Sequence, residues 1–189
     1  MSVEIHGREG CPFAWRARLA AAEKGVAFRY VAFDTDPPDA GFERNPDKKS
    51  PLLVDGDFVT PESGVIAWYL DEAYPGPALA PAGARERSHL RLVLGQLEGL
   101  TADTRPGAVL SPEGRARVDA AIGVLARELG AADFLGGAAP SLVDVMIWPM
   151  LAGLVVKLKL PLPEGPVQAY WERVSSRATY RATAPAWAA

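Results

Sequence analysis

The chain has 189 residues, 49% hydrophobic and 23% charged, with a formal net charge of −3. That profile excludes wholesale disorder and a large multidomain assembly, leaving one large domain or two small ones. It also supplies no global basic field to hold a polyanion, so nucleic acid is not an expected partner. The longest uncharged apolar run, Val145 to Val156, lies between Asp144 and Lys157. It falls well short of the roughly 20 residues that span a bilayer, so no membrane partner is expected either. Met1 to His6 carries no basic stretch followed by an apolar one, which reads as a cytoplasmic protein. The single cysteine, Cys11, cannot form an internal disulfide, so its chemistry is that of a thiol.

Val3 to His6 alternates apolar and polar residues and predicts a strand, which breaks at Gly7 and Gly10. Pro12 to Lys24 is rich in helix formers and closed by Gly25, and Ala27 to Phe33 carries strong strand formers. This strand, helix, strand order implies a parallel pair with a right-handed crossover. Asp34 to Pro38 reads as a turn, and Phe42 to Lys49 as a polar segment with a short helix. Leu52-Leu53-Val54 and Asp57-Phe58-Val59 flank Asp55-Gly56, a favoured hairpin dipeptide. Pro61-Glu62-Ser63 then opens a helix to about Tyr74, with Val65, Ile66, Tyr69, Leu70 and Ala73 as its apolar face.

Tyr74 to Gly83 concentrates proline and glycine, and no convincing strand follows. The expected organisation is a domain over residues 1–75, a linker over 76–83 and an all-helical domain over 84–189. Leu90, Val93, Leu94, Leu97 and Leu100 recur at helical spacing, as do Val118, Ala121, Ile122, Leu125 and Leu129, the latter set started by Ser111-Pro112-Glu113 and stopped by Gly130. Ser141-Leu142-Val143-Asp144 reads as a capping box before an apolar helix that Pro149 should kink. Ser141 and Asp144 are thus structural caps, whose loss costs about 0.5–2 kcal/mol. Val167, Tyr170, Trp171 and Val174 predict one more helix.

Chemistry concentrates at Cys11. With Pro12 at the first helical position, its sulfur sits beside the amide groups of a helix N-terminus, which favour a thiolate. His6 and His89 lack partners at any metal-site spacing, so no metal is expected. Trp15, Trp148 and Trp187 read as core residues.

The order of elements, with a cysteine on the first strand-to-helix turn, is the thioredoxin arrangement. Cys11-Pro12-Phe13, Asn45-Pro46, Lys48-Lys49-Ser50-Pro51, Pro61-Glu62-Ser63, Tyr69-Leu70-Asp71-Glu72 and Tyr74-Pro75 stand in the order of the cytosolic glutathione transferase superfamily. The Cys-Pro-Phe opening most resembles omega-class transferases and plant dehydroascorbate reductases. The resemblance implies an α/β thioredoxin-like N-terminal domain (βαβαββα) followed by an all-α C-terminal helical bundle. It implies glutathione as co-substrate and Cys11 as the catalytic nucleophile. Glu62 and Ser63 would receive the γ-glutamyl group, the backbone about Ser50 and a cis Pro51 its cysteinyl part, and Phe13 and Lys49 would complete the glutathione site. Two departures matter. Asp36-Pro37-Pro38 offers no lysine where omega-like proteins often carry one for the glycine carboxylate, leaving Lys48 or Lys49 as substitutes. The chain is also shorter than many relatives, so the second-substrate pocket should be open.

The expected activity is glutathione-dependent thiol transfer, deglutathionylation or dehydroascorbate reduction, on a small hydrophobic or disulfide co-substrate, by a homodimer. Two alternatives stand beside it. One is a non-catalytic interaction module like the stringent starvation proteins of bacteria. The other is a transferase that conjugates glutathione to electrophiles, a job better suited to a serine or tyrosine hydroxyl.

Overall fold

A computed structural model describes residues 3–33, 45, 49–102 and 108–189. They fall into two units, one comprising Met1–Ala78, Ala182–Trp187 and Ala189, the other Leu79–Arg181 and Ala188.

The first unit runs β1 (Val3–Gly7), α1 (Pro12–Lys24), β2 (Phe28–Ala32), β3 (Leu52–Asp55), β4 (Phe58–Pro61) and α2 (Ser63–Ala73). The sheet order is β2-β1-β3-β4. β1 and β2 are parallel, Val3 opposite Phe28 and Gly7 opposite Ala32, while β3 runs antiparallel to both β1 and β4. This mixed sheet, with a crossover helix between its two parallel strands, is the thioredoxin-like half expected from sequence. The turn expected over Asp34 to Pro38 lies outside the described residues, as does the segment with a short helix expected over Phe42 to Lys49 apart from Asn45 and Lys49.

Local chemistry accounts for the boundaries. Pro12 starts α1 because its missing N–H would be unpaired there in any case. Gly25 ends it at φ 78°, a left-handed conformation that favours glycine, and its N–H returns to the carbonyls of Ala21 and Ala22. Lys24 Nζ reaches Asp71 Oδ1 at 2.8 Å with both side chains buried, tying α1 to α2.

Two sequence expectations need correction. The hairpin pivots on Gly56-Asp57 rather than Asp55-Gly56, because Asp55 pairs with Phe58 in the ladder. Gly56 at φ 63° takes the first central position, where a glycine relieves the steric cost. The buried face of α2 is Ile66, Ala67 and Leu70, whereas Val65 and Ala73 point outward. A one-residue shift in the helical stripe suffices to produce that exchange. Asp55 is held by another device. Its carboxylate accepts from the hydroxyls of Tyr69, at 2.8 Å, and Tyr74, clasping the hairpin to the end of α2. Hydrogen bonds from Tyr74 and Tyr69 hold the Asp55 carboxyl below the usual aspartate range. Burial and the Asp55 carboxylate push the Tyr74 phenol up to about 12.

The second unit is helical among its described residues, apart from one isolated bridge between Phe134 and Gly137. Its elements are α3 (Ala84–Gln96), a tight helical turn over Leu97–Leu100, α4 (Pro112–Leu129), α5 (Leu142–Ala152), a π-helical turn over Gly153–Lys157, α6 (Pro166–Ser176) and α7 (Ala178–Thr183), which continues into the first unit's 182–187 segment. Every residue of α5 is buried, as expected of a helix that is apolar all round. Pro149 sits inside α5, which continues to Ala152 and then opens into the π-helical turn.

The start of α5 is closed by its own side chains. Ser141 Oγ accepts from the Asp144 N–H at 3.4 Å, and Asp144 Oδ2 accepts from the Ser141 N–H and hydroxyl at 2.7 Å each. Asp144 also accepts from Leu135 N–H at 3.0 Å, Gly136 N–H at 3.2 Å and the Tyr170 hydroxyl at 2.7 Å. Tyr170 in turn accepts from Trp148 Nε1–H at 2.7 Å. Burial raises the Asp144 carboxyl above the ordinary aspartate range, against the opposing pull of the Ser141, Leu135 and Tyr170 donors. Asp144 is thus the acceptor for a whole buried corner, which exceeds the role of a helix cap.

No helix among the described residues is long and apolar enough to cross a membrane.

Candidate functional site

The topology gathers three segments at one end of the first unit's sheet. His6 of β1 lies opposite Leu52 of β3, and Leu52 lies opposite Pro61 of β4. The end of β1, the start of β3 and the end of β4 are therefore neighbours. The chain around each of these ends carries a candidate residue: Cys11 after β1, Ser50-Pro51 before β3, Glu62-Ser63 after β4.

Cys11 is the N-cap residue of α1, with extended backbone at φ −76° and ψ 121°. Its carbonyl accepts the Trp15 N–H at 3.0 Å, and its own N–H donates to the Arg8 carbonyl at 3.0 Å. The side chain makes no capping hydrogen bond, and no acidic residue stands in the first turn of α1. The partly buried thiol is thus carried by the residue that opens α1, whose first turn holds no carboxylate. Sγ lies 3.9 Å from the Ser50 carbonyl oxygen, a distance at which the thiol is a weak donor.

Beside it is a cleft of about 220 Å³ lined by Phe13, Lys49, Ser50, Pro51, Pro61, Glu62 and Ser63. All six residues assigned to glutathione from sequence therefore line one cleft. Cys11 is outside this lining and meets it through the Ser50 carbonyl. The Ser50-Pro51 peptide is cis. Ser50 Oγ accepts from the Arg8 N–H at 3.0 Å, fastening the β1 exit to the β3 entry. Gly7 makes that approach possible. A Cβ there would lie 2.7 Å from Ala14 Cβ and 2.8 Å from Ser50 Oγ, closer than real side chains come.

The floor of the cleft is the start of α2. Glu62, its N-cap residue, has φ 69° and ψ 114°, a left-handed value that is costly for a residue with a Cβ, typically about 1–3 kcal/mol. Its side chain is exposed and makes no capping bond, and the first turn contains no acidic residue. The first N–H groups of α2 have no intrahelical acceptor by construction. They form, with the buried Ser63, a set of donors suited to a carboxylate. The exposed Glu62 carboxylate beside them suits an ammonium. Phe13 is exposed at the rim, with the Arg16 guanidinium carbon 5.0 Å from its ring centre. Lys49 is exposed, and its carbonyl accepts from the Asn45 side-chain amide. Lys48 lies outside the described residues.

The remaining candidates sit elsewhere. Ser141 and Asp144 belong to the second unit and are consumed by its own hydrogen bonds. His6 Nε2 is 2.9 Å from Glu4 Oε2, and His89 Nε2 is 3.1 Å from Glu128 Oε2. Among the described residues no group of three histidine, cysteine or acidic side chains could hold a metal ion. Trp15 and Trp148 are fully buried, but Trp187 is only partly so, and its Nε1–H donates to the Gly10 carbonyl at 3.0 Å. Three contributors have no site role in the sequence analysis: Arg8, which acts through its backbone, Pro61, read there as part of a helix start, and Trp187, read there as core. For Gly7 the available signal is a glycine at the end of a strand, a mark of close backbone approach.

The family model for the glutathione S-transferase N-terminal domain matches residues 5–78, and that for the C-terminal domain matches residues 80–170. Over 92 residues the chain is 40% identical to glutathione S-transferase Z1 of Arabidopsis thaliana, covering 47% of this chain and 41% of that protein. Over 87 residues it is 39% identical to a stringent starvation protein A homolog of Coxiella burnetii, covering 46% of this chain and 42% of the other. The matched stretch is thus under half the length of these two relatives. Glutathione S-transferase omega-1 of Mus musculus matches more of the chain at lower identity, 28% over 184 residues, covering 89% and 74%. Among solved structures, a delta-class glutathione transferase of Nilaparvata lugens superposes with a TM-score of 0.84 at 22% identity, covering 98% of this chain and 94% of that one. At that identity the superposition establishes the fold.

Proposed function

The chain belongs to the glutathione S-transferase family through both of its domains, and on that premise we propose that it is a glutathione-dependent enzyme in which Cys11 is the nucleophile. The observation that carries this reading is the uncapped, cysteine-bearing N-terminus of α1, with Sγ 3.9 Å from a carbonyl of the cleft that Glu62 and Ser63 floor. Glutathione lies in that cleft, with its γ-glutamyl carboxylate on the Ser63 hydroxyl and the first amides of α2. Its ammonium meets Glu62. The backbone about Ser50 and Pro51 pairs with the cysteinyl part, Phe13 flanks it, and Lys49 takes the glycine carboxylate. No metal takes part.

The reaction is thiol transfer in two steps. The Cys11 thiolate attacks the glutathionyl sulfur of a mixed disulfide, forming Cys11–S–S–glutathione and releasing the other partner as a thiolate that takes a proton from solvent. A second glutathione thiolate then attacks that glutathionyl sulfur, giving oxidised glutathione and the free Cys11 thiolate. The second thiol must come from solution, because the chain has one cysteine. Deglutathionylation of proteins starts from a protein–glutathione mixed disulfide in the same way. In dehydroascorbate reduction the Cys11 thiolate adds to a carbonyl carbon, and a glutathione thiolate then attacks the Cys11 sulfur, breaking the carbon–sulfur bond, releasing ascorbate with the electron pair and leaving the same Cys11–S–S–glutathione. The co-substrate is a small hydrophobic or disulfide compound, and the protein works as a cytoplasmic homodimer.

Intact-mass measurement after incubation with oxidised glutathione tests this. One glutathione on the wild type and none on Cys11→Ser is expected. A wild type that forms no adduct but is retained on immobilised glutathione would favour conjugation. Neither adduct nor retention would favour an interaction module, the reading that the similarity to a stringent starvation protein A homolog supports.

A further inference from the structure

We propose that Trp187 is a positioning residue for Cys11, fixing the peptide unit on which the nucleophile is carried; the inference rests on the thiol-transfer reading above. The Gly10 carbonyl and the Cys11 N–H belong to one planar peptide. Its oxygen accepts from Trp187 Nε1–H at 3.0 Å, a contact between residues 177 apart in sequence. Its nitrogen donates to the Arg8 carbonyl at 3.0 Å. The plane is therefore pinned at both ends. Tilting that plane, and the Cys11 Cα with it, breaks at least one of these bonds, while rotation about the Cys11 N–Cα bond is held by the Cys11 carbonyl's bond from the Trp15 N–H.

The anchor is itself held in place. The Trp187 ring packs edge to face on Trp15, with centroids 5.6 Å apart and planes at 86°. Trp15 is fully buried in α1, and its Nε1–H donates to Thr183 Oγ1 at 3.0 Å. Two indole N–H bonds thus lace the 182–187 segment to the turn and helix that flank the cysteine. A carbon at the Gly10 Cβ position would lie 3.7 Å from Trp187 Cδ1, so the indole seats at ordinary contact distance against the turn.

Disulfide exchange requires the attacking sulfur in line with the bond it breaks, so orientation enters the rate directly. Trp187 is not among the residues that line the glutathione cleft, so its effect belongs in turnover and not in binding. Water can replace part of a hydrogen bond to a carbonyl near the surface, which keeps the effect moderate.

The test is Trp187→Phe, which keeps an aromatic ring against Trp15 and deletes the N–H. In glutathione-dependent reduction of the mixed disulfide of glutathione and 2-mercaptoethanol, kcat should fall about threefold to tenfold, with the KM for glutathione within about twofold of wild type. Amide exchange at Cys11 should accelerate while the interior of α1 stays protected, a readout that remains decisive if the variant is also somewhat less stable. Unchanged kcat overturns the proposal. So does a loss confined to KM or to melting temperature, or a fall in kcat with Cys11 exchange unaltered. Failure of the underlying reading looks different: the wild type itself then forms no glutathione adduct and shows no turnover, and both inferences fall together.

Discussion

The starts of α5 and α2 are both helix N-termini opened by a serine and an acidic residue, yet their chemistry is opposite. At α5 the acidic residue follows the serine by three positions, folds back and accepts five hydrogen bonds, so that the terminus is closed to anything else. At α2 the acidic residue precedes the serine, takes a left-handed backbone and points to solvent, so the terminal amides face a cleft without a side-chain cap. The order of the same two residue types separates a corner that holds the fold from a terminus free to receive a ligand carboxylate. The start of α1 belongs with α2, since its N-cap is a cysteine that makes no cap.

If that contrast holds, the largest effect should come from the open terminus of α1. Cys11→Ser should reduce thiol transfer by at least about a thousandfold, because the hydroxyl cannot form the mixed disulfide, while conjugation of a model electrophile persists or rises. Coupled assays on the purified variant check both halves of that expectation.

Next comes the closed terminus. Asp144→Ala should cost about 3–5 kcal/mol, well beyond a simple cap, because several buried donors lose their acceptor together and each is worth about 1–3 kcal/mol. Denaturant unfolding gives the number. The folded fraction should retain its glutathione chemistry; activity lost at unchanged stability would mean Asp144 is part of the site.

The open terminus of α2 gives a paired test. Ser63→Ala should raise the apparent glutathione constant about tenfold while leaving alkylation of Cys11 by a small reagent unaltered. Glu62→Gly should weaken glutathione binding similarly, yet stabilise the fold by about 1 kcal/mol, because glycine removes the strain at φ 69°. A Glu62→Gly protein that is both weaker in binding and less stable would show that Glu62 serves the fold.

The smallest effect is pH dependence of the Asp55 clasp. The folded carboxyl is depressed, so its contribution is complete above the ordinary aspartate value of about 3.9 and is lost as pH falls through the lower folded value. Tyr74, raised to about 12, contributes fully below about 10 and loses that contribution as pH rises through about 12. Melting temperature should therefore decline on both sides, and Asp55→Asn should remove the acid arm while only reducing the alkaline one, since burial is the main cause of the raised Tyr74 phenol.

Much of this was legible because it is local. Pro12 and Gly25 bound α1 at the residues the sequence indicates, since a missing N–H and a left-handed cap depend on a few neighbours only. The Ser141–Asp144 box was legible for the same reason, but the donors from Leu135, Gly136 and Tyr170 were not, and they change the size of its role. The hairpin turn lies one residue later than the sequence suggests, because Asp-Gly and Gly-Asp turns share a glycine and the ladder decides which pair is central. The apolar stripe of α2 includes Val65, which the fold exposes, because such a stripe has no sharp edge until a neighbour packs against it.

The two-part architecture, the cysteine at a helix start and the residue types of the cleft are readable along the chain, because periodicity, helix stops and motif order are carried by adjacent residues. That Ser50 meets Arg8, that Glu62 is left-handed, and that an indole from position 187 bonds to the peptide before Cys11 emerge from folding alone. These contacts join residues far apart in the chain, or a backbone angle set by the packing around it, and a linear pattern carries no record of either.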